Sequence, residues 1–275
     1  MKPLAPESVR PRIRRPAFAT GAAITATFLL GVFICPAPTA RAETDPLVAS
    51  GRQVYIAEGC IHCHSQYIRP GTGDVFLWGP AHPLVEVLAA EPPLLGNRRQ
   101  GPDLANVGNR RSPEWNRLHL MAPRAISPGS RMPSYAYLFH NDDPRGNALL
   151  AYLASLGSDT VPERLETIAR WHLLPAATPA PSKQPKLFQQ LCASCHGLSG
   201  HADGPLSTQL SVRPPDFTAP SWRRFPSTPD TDSLARLIKF GLPGTPMAGH
   251  EYLTDSEILS LADFVKTLHA APVAP

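Results

Sequence analysis

Outside its first 42 residues the chain has no surplus of positive charge. Six of the 26 basic residues, but only one of the 22 acidic ones, lie in residues 1–42, which leaves 20 basic against 21 acidic residues. Such a balance lacks the electrostatic footprint of a nucleic-acid-binding surface, so no nucleic-acid partner is expected. Charged residues are scarce at 17% and aromatic ones at 7%, yet 43% of the chain is hydrophobic, too much for a disordered protein. Long apolar runs are missing except at the amino end, which excludes a protein of several membrane spans. The 33 prolines argue against long uninterrupted helical bundles. What remains is a globular protein of one or two small domains.

The one apolar run, Ala17 to Ile34, follows Arg10, Arg12, Arg14 and Arg15 and precedes Pro36-Ala-Pro-Thr-Ala-Arg-Ala42. Basic, then apolar, then small residues ending in Ala40-x-Ala42 is the layout of a secretory signal peptide cut before Glu43. The alternative is an N-terminal anchor, although eighteen residues rich in Ala, Gly and Thr are short for a span. Cys35 reads as part of the leader, because the bulky Ile34 before it does not suit a lipoprotein signal.

Cysteine is also rare, and its placement is informative. The four remaining cysteines form two pairs, Cys60/Cys63 and Cys192/Cys195, each spaced Cys-x-x-Cys and followed at once by His64 or His196. Redox dithiols and zinc ribbons share the two-residue gap, but neither needs the histidine. Covalent attachment of c-type haem does. Two thiols one helical turn apart reach the two vinyl groups of a porphyrin, and the next residue offers its imidazole to the iron. Two covalently attached haem c groups are therefore expected, using every cysteine of the exported chain. A zinc ion shared by the two pairs is the alternative.

The surroundings of the two motifs repeat. Asp45-Pro46 opens a helix carrying Leu47, Val48, Val54 and Tyr55 into the first motif, and Leu187, Phe188 and Leu191 lead into the second. Each half closes with an amphipathic helix. Asp143-Pro144 starts one, with Leu149, Tyr152, Leu153 and Leu156 inward and Gly157 as its stop. The box Thr254-Asp-Ser-Glu257 starts the other, with Ile258, Leu261, Ala262, Val265 and Leu268 on one face. The expected fold class is all-α: two tandem cytochrome c class I-like haem domains, residues 45–158 and 183–272. Residues 159–182 form the linker, with a short helix (Leu165, Ile168, Ala169 and Leu173 on one side) expected to pack back on the first domain or to serve the contact between the domains.

Electron-carrying haem domains usually close the second axial position with methionine. Only Met121, Met132 and Met247 follow the leader. Met247, in Gly244-Thr-Pro-Met247, and Met132, in Arg131-Met-Pro133, both lie in proline loops ahead of the closing helices and are the expected ligands. Met121 ends a short helix begun by Ser112-Pro113, where packing is its expected role. The other nitrogen of each ligating histidine needs an acceptor, and Pro102 and Pro215 occupy matching places to present a backbone carbonyl. His62, His119, His201 and His250 are expected to be surface or packing residues.

From Gly51 to Gly157 several motifs occur in order: Tyr55-Ile-Ala-Glu-Gly-Cys-Ile-His-Cys-His-Ser-Gln66, Ile68-Arg-Pro70, Leu95-Gly-Asn-Arg-Arg-Gln-Gly-Pro-Asp-Leu104, Trp115 with His119, and Met132-Pro-Ser-Tyr135. Together they resemble the monohaem subunit (subunit II) of cbb3-type cytochrome c oxidases. The resemblance implies Cys60, Cys63, His64 and Met132 as haem attachments and ligands, and it makes Arg69 and Arg99 candidates for pairing with haem propionates. Residues 183–272 resemble a class I cytochrome c domain through Cys192-Ala-Ser-Cys-His-Gly197 and the Met247 loop. The second haem domain and the removable leader depart from the monohaem subunit.

The expected activity is carriage of single electrons by a periplasmic dihaem c-type cytochrome rather than by an enzyme. Expected partners are a haem-copper oxidase or nitric oxide reductase downstream and a quinol-oxidising complex upstream, with the membrane involved only if the leader is retained. A membrane-anchored oxidase subunit is the alternative reading. A dihaem peroxidase or sulfur-compound dehydrogenase, which needs an open or unusually ligated iron, is a third.

Overall fold

Helix signals of the kind just read recur along the structure, a computed structural model that describes residues 45–174, 177–179, 184–220 and 229–270. The leader, Cys35 and the centre of the proline-rich linker lie outside the described residues. The Asp45 side chain accepts from the Leu47 N–H and starts α1, Pro46–Ala57, because a carboxylate satisfies an amide that no helical partner reaches. Four short helices follow: α2 (Asp74–Trp78), α3 (Leu84–Ala89), α4 (Val107–Arg110) and α5 (Pro113–Met121), the last capped by Ser112. After α6 (Pro123–Ile126), Asp143 caps α7, Pro144–Ser155, which ends at Leu156 with Gly157 in the left-handed region beyond it. Then come α8 (Val161–Arg170), α9 (Gln184–Leu191), α10 (Ala193–His196), α11 (Thr231–Phe240) and α12 (Asp255–Ala270). No strand occurs among the described residues, only an isolated antiparallel bridge between Gly241 and Ala248. The all-α expectation holds.

Each half has its own core. In the first, α1 crosses α7 so closely that a Cβ on Gly51 would lie 1.9 Å from the Ala148 carbonyl oxygen. Glycine there is a packing requirement. The crossing sets Tyr55 edge-on to Tyr152 at 5.6 Å and gathers Val54, Cys60, Leu120, Leu138, Leu149 and Leu153 around them. In the second half α9 and α12 meet through Phe188 and Phe264 at 5.1 Å, above Ile258, Leu261, Ala262 and Val265. The Thr254–Glu257 box is formed in both directions, at 3.0 and 3.3 Å.

Leu47, in the first turn of α1, is exposed. More instructive is α8, whose Leu165 and Ala169 face solvent while Arg164 turns inward. The Arg164 guanidinium reaches Glu251 of the second half at 2.7 Å and lies over the Phe240 ring, and Trp171 and Leu173 pack on the second core. A buried carboxylate outweighed a weakly apolar stripe, so α8 reaches the second half through Arg164, the interdomain role, instead of packing its apolar side back on the first.

Glu251 is where the halves lock. Its side chain is 7% exposed, and it meets Arg111 at 3.4 Å, Arg164 at 2.7 Å and, more distantly, Arg110 at 3.9 Å. Burial alone would raise this carboxyl, but Arg111, Arg110 and Arg164 outweigh it and hold the group at about 2. Arg110 is buried too, stacked over Trp78 at 4.8 Å, and burial pushes its guanidinium down to about 9, still charged at neutral pH.

Candidate functional site

The second motif opens directly onto a cavity. α9 delivers Cys192, the single turn of α10 delivers Cys195 and His196, and these three line one mostly apolar cavity with Pro215, Phe217 and Met247. Loop hydrogen bonds hold the parts in place. Leu206 N–H donates to Ser194 O and Ala202 N–H to His196 O, both at 2.9 Å, so the chain after the motif folds back over it. Across the cavity the Met247 loop is closed by Leu242 N–H to Met247 O at 3.0 Å and anchored by His250 N–H to Ile238 O at 3.1 Å. Phe217 stacks on the His196 ring at 4.5 Å and 14°. Burial pushes His196 down to about 4, and the nearby Pro215 carbonyl opposes that only in part; the buried Nδ1 makes no hydrogen bond among the described residues. A neutral imidazole with one nitrogen turned to a carbonyl is the state in which histidine ligates a metal.

The first motif is built on the same plan with tighter geometry. Three residues beyond the end of α1, Cys60 joins the first core, while Cys63 stays partly open and His62 is exposed, as expected. The loop 94–104 runs alongside the motif: Gln66 N–H donates to Leu94 O, Gly101 N–H to Cys63 O and Leu104 N–H to Ser65 O, at 2.8–2.9 Å. That register lets His64 Nδ1–H donate to the Pro102 carbonyl at 2.8 Å. Gly101 makes the approach feasible, since a Cβ there would stand 2.3 Å from His64 Cε1. Burial lowers the His64 pKa, opposed by the Pro102 bond and the Asp103 charge. Met132 packs against the same core as Cys60. Its loop hangs from α5 through Tyr135 N–H to Leu120 O at 2.8 Å and Ser134 Oγ–H to Met121 O at 2.7 Å.

Arg69 and Arg99 lie next to this site but are already paired. Arg69 grips Asp74 through two bonds of 2.6 and 2.8 Å, and Arg99 bridges Asp74 at 3.2 Å and the buried Asp103 at 3.0 Å. The hydrogen bonds from Arg69, against some burial and with help from the Arg99 charge, hold Asp74 at about 2. Of the histidines set aside, His201 contacts Thr218 at 3.1 Å, while His250 and His119 are half-buried and each pushed down to about 4, mainly by desolvation. Among the described residues no group of three or more His, Cys, Asp or Glu side chains is placed to hold a metal ion, so the two cysteine pairs do not converge on a shared zinc site.

Comparison with known proteins agrees with this geometry. Residues 17–147 match the family of the cytochrome c oxidase mono-heme subunit, FixO, and residues 179–265 match cytochrome c oxidase, cbb3-type, subunit III. Two cbb3-type cytochrome segments are fused in this chain. Such segments imply haem c as cofactor and electron transfer as activity. No curated protein matches. Among solved structures, a reducing HAO-like protein complex of Kuenenia stuttgartiensis aligns over 80% of this chain and 95% of its own, at 18% identity and a TM-score of 0.30, a likeness too slight to bear on the fold. No helix among the described residues is long and apolar enough to cross a membrane.

Sequence patterns missed several contributors to the sites. Gly101 was visible only as a neighbour of Pro102 in its motif, and Phe217 and Glu251 were given no role. The adjacent Arg110-Arg111 pair ahead of an aromatic helix was the one available sign that an acid must be brought there.

Proposed function

We propose that the cbb3-type cytochrome fusion is a periplasmic dihaem electron carrier, passing single electrons to or within a haem-copper oxidase or nitric oxide reductase chain. The observation that carries this reading is the convergence of Cys192, Cys195, His196 and Met247 on one apolar cavity; in the first half, Cys60 and Met132 join one core and His64 holds the Pro102 carbonyl. These residues fit haem c: two thiols for its vinyl groups, a neutral imidazole on one face and a thioether on the other. Bound there, haem supplies a reversible one-electron couple, and the protein sets its potential through ligand identity and burial.

The chain's own residues do the rest. Pro102, and less directly Pro215, orient the imidazoles. Met132 and Met247 would each offer a thioether sulfur to the iron, a ligand that favours the reduced metal and suits electron carriage better than peroxide or sulfur chemistry. Arg69 and Arg99 hold positive charge beside the first site, where a propionate would compete with Asp74 for it. Docking of partners is transient and small in area.

A second reading has specific support. The family match beginning at residue 17 takes in the apolar run, which favours a retained anchor and an oxidase-bound subunit. Purification from the periplasm, followed by a haemochrome assay and intact mass, separates the two. Two covalent haems on a chain beginning at Glu43 support the soluble carrier. A chain retaining residues 1–42 and co-purifying with a membrane oxidase supports the subunit. Fewer than two covalent haems refutes the dihaem assignment.

A further inference from the structure

Helix α5 touches both haem sites. At its amino end, Ser211 donates to the Glu114 carboxylate through its backbone N–H and its Oγ–H, each at 2.6 Å. Ser211 sits between Leu210 and Val212 on the rim of the second cavity. Arg111, two residues before the helix begins, donates to the Gly249 carbonyl at 2.8 Å, two residues beyond Met247. Both lips of the second cavity are therefore held by one short stretch of the first half. The carboxyl end of α5 carries the Met132 loop through Leu120 and Met121. Nine residues at 1.5 Å rise span about 13 Å, so the helix bridges one axial-ligand loop and the mouth of the other site.

Along that span lies a stacked aromatic pair. Trp115 and His119, at positions i and i+4 on one face, are parallel within 11° at 4.7 Å between ring centres, and the Arg111 guanidinium lies 5.2 Å over the Trp115 ring. The buried Nδ1 of His119 has no hydrogen-bond partner among the described residues. Trp115 and His119 are both half-buried, so the stack stands at the margin of the first hydrophobic core.

Resting on the dihaem reading above, we propose that the Trp115–His119 stack is the route by which an electron passes between the two haem sites of one chain, with Glu114 and Arg111 docking the second cavity onto it. One electron moves per event: one iron goes from ferrous to ferric as the other goes from ferric to ferrous. The stack itself is neither oxidised nor protonated on balance. Transfer between the sites then needs no external partner and no motion of one half against the other.

The test uses full-length protein with its haems in place. A flash from a photoexcited ruthenium complex delivers less than one electron per chain, and redistribution between the sites is followed by visible absorbance and by EPR of the two ferric signals. In the unmodified protein the redistribution rate is independent of protein concentration. Replacing both residues, Trp115→Leu with His119→Leu, slows it by about tenfold, equivalent to a barrier about 1.4 kcal/mol higher. The single variant Trp115→Phe, which keeps an aromatic ring against the native His119, retains most of the rate. An unchanged rate in the double variant, with both low-spin signals intact, overturns the route. If the double variant does not take up haem, Glu114→Ala decides: it touches only the rim of the second cavity, and an unchanged rate there overturns the proposal. One covalent haem per chain in a haemochrome assay refutes the dihaem reading instead, a failure distinct from that of the route.

Discussion

Replacing Glu251 by glutamine is the sharpest test of how the two halves are held. The carboxylate is 7% exposed and faces three guanidinium groups whose side chains are 3%, 10% and 14% exposed. Gln keeps the shape and one acceptor but removes the charge, leaving Arg110, Arg111 and Arg164 buried against one another. Breaking a buried ion pair from one side costs about 3–5 kcal/mol. The depressed pKa of the carboxyl gives a figure of the same order. Lowering the carboxyl from its ordinary 4.5 to about 2, at about 1.4 kcal/mol per unit, contributes roughly 3 kcal/mol. A loss of that size lowers the thermal midpoint of a unit this long by roughly 6–20 °C. The pH dependence follows in sign. Because the folded pKa lies below the unfolded one, the contribution is complete above about 4.5 and is lost as pH falls through about 2. Far-UV circular dichroism melts of both proteins at about pH 7 and about pH 3 are expected to show a large difference at neutral pH that narrows in acid. A difference below about 2 °C at neutral pH, or one independent of pH, would refute the reasoning.

Other outcomes follow from the same geometry. Met132→Ala and Met247→Ala are each expected to turn one haem high-spin, read in the visible spectrum; an unchanged spectrum rejects that ligand. Gly101→Ala drives a methyl group against the His64 ring, and overpacking of this kind costs about 1–3 kcal/mol. Its signature is a shift in the potential of the first site alone, measured by redox titration. Arg99→Leu leaves the Asp103 carboxylate, wholly buried at its side chain, without its cation. The expected loss, about 3 kcal/mol, is checked by urea unfolding.

Much of the fold was legible because helix ends carry local chemistry. Asp45, Ser112, Asp143 and the Thr254–Glu257 box each satisfy amides within three residues of themselves, so their signals do not depend on the rest of the chain. The placement of Pro102 at His64 was legible for the same reason, since a proline carbonyl has one obvious use beside an imidazole. Helix α8 was misread because periodicity weighs hydrophobic spacing and cannot see that Arg164 has a buried carboxylate 87 residues away.

Composition and spacing alone determined that this chain is helical, that it carries two Cys-x-x-Cys-His motifs, and that few methionines stand ready to complete them. These are properties of residues near one another in sequence, where backbone geometry leaves little choice. Tertiary structure alone decided which half each connecting element leans on, that both rims of the second cavity rest on α5, and that Glu251 binds the halves together. Those outcomes depend on charges and surfaces far apart along the chain, and their energies arise only once water has been excluded from between them.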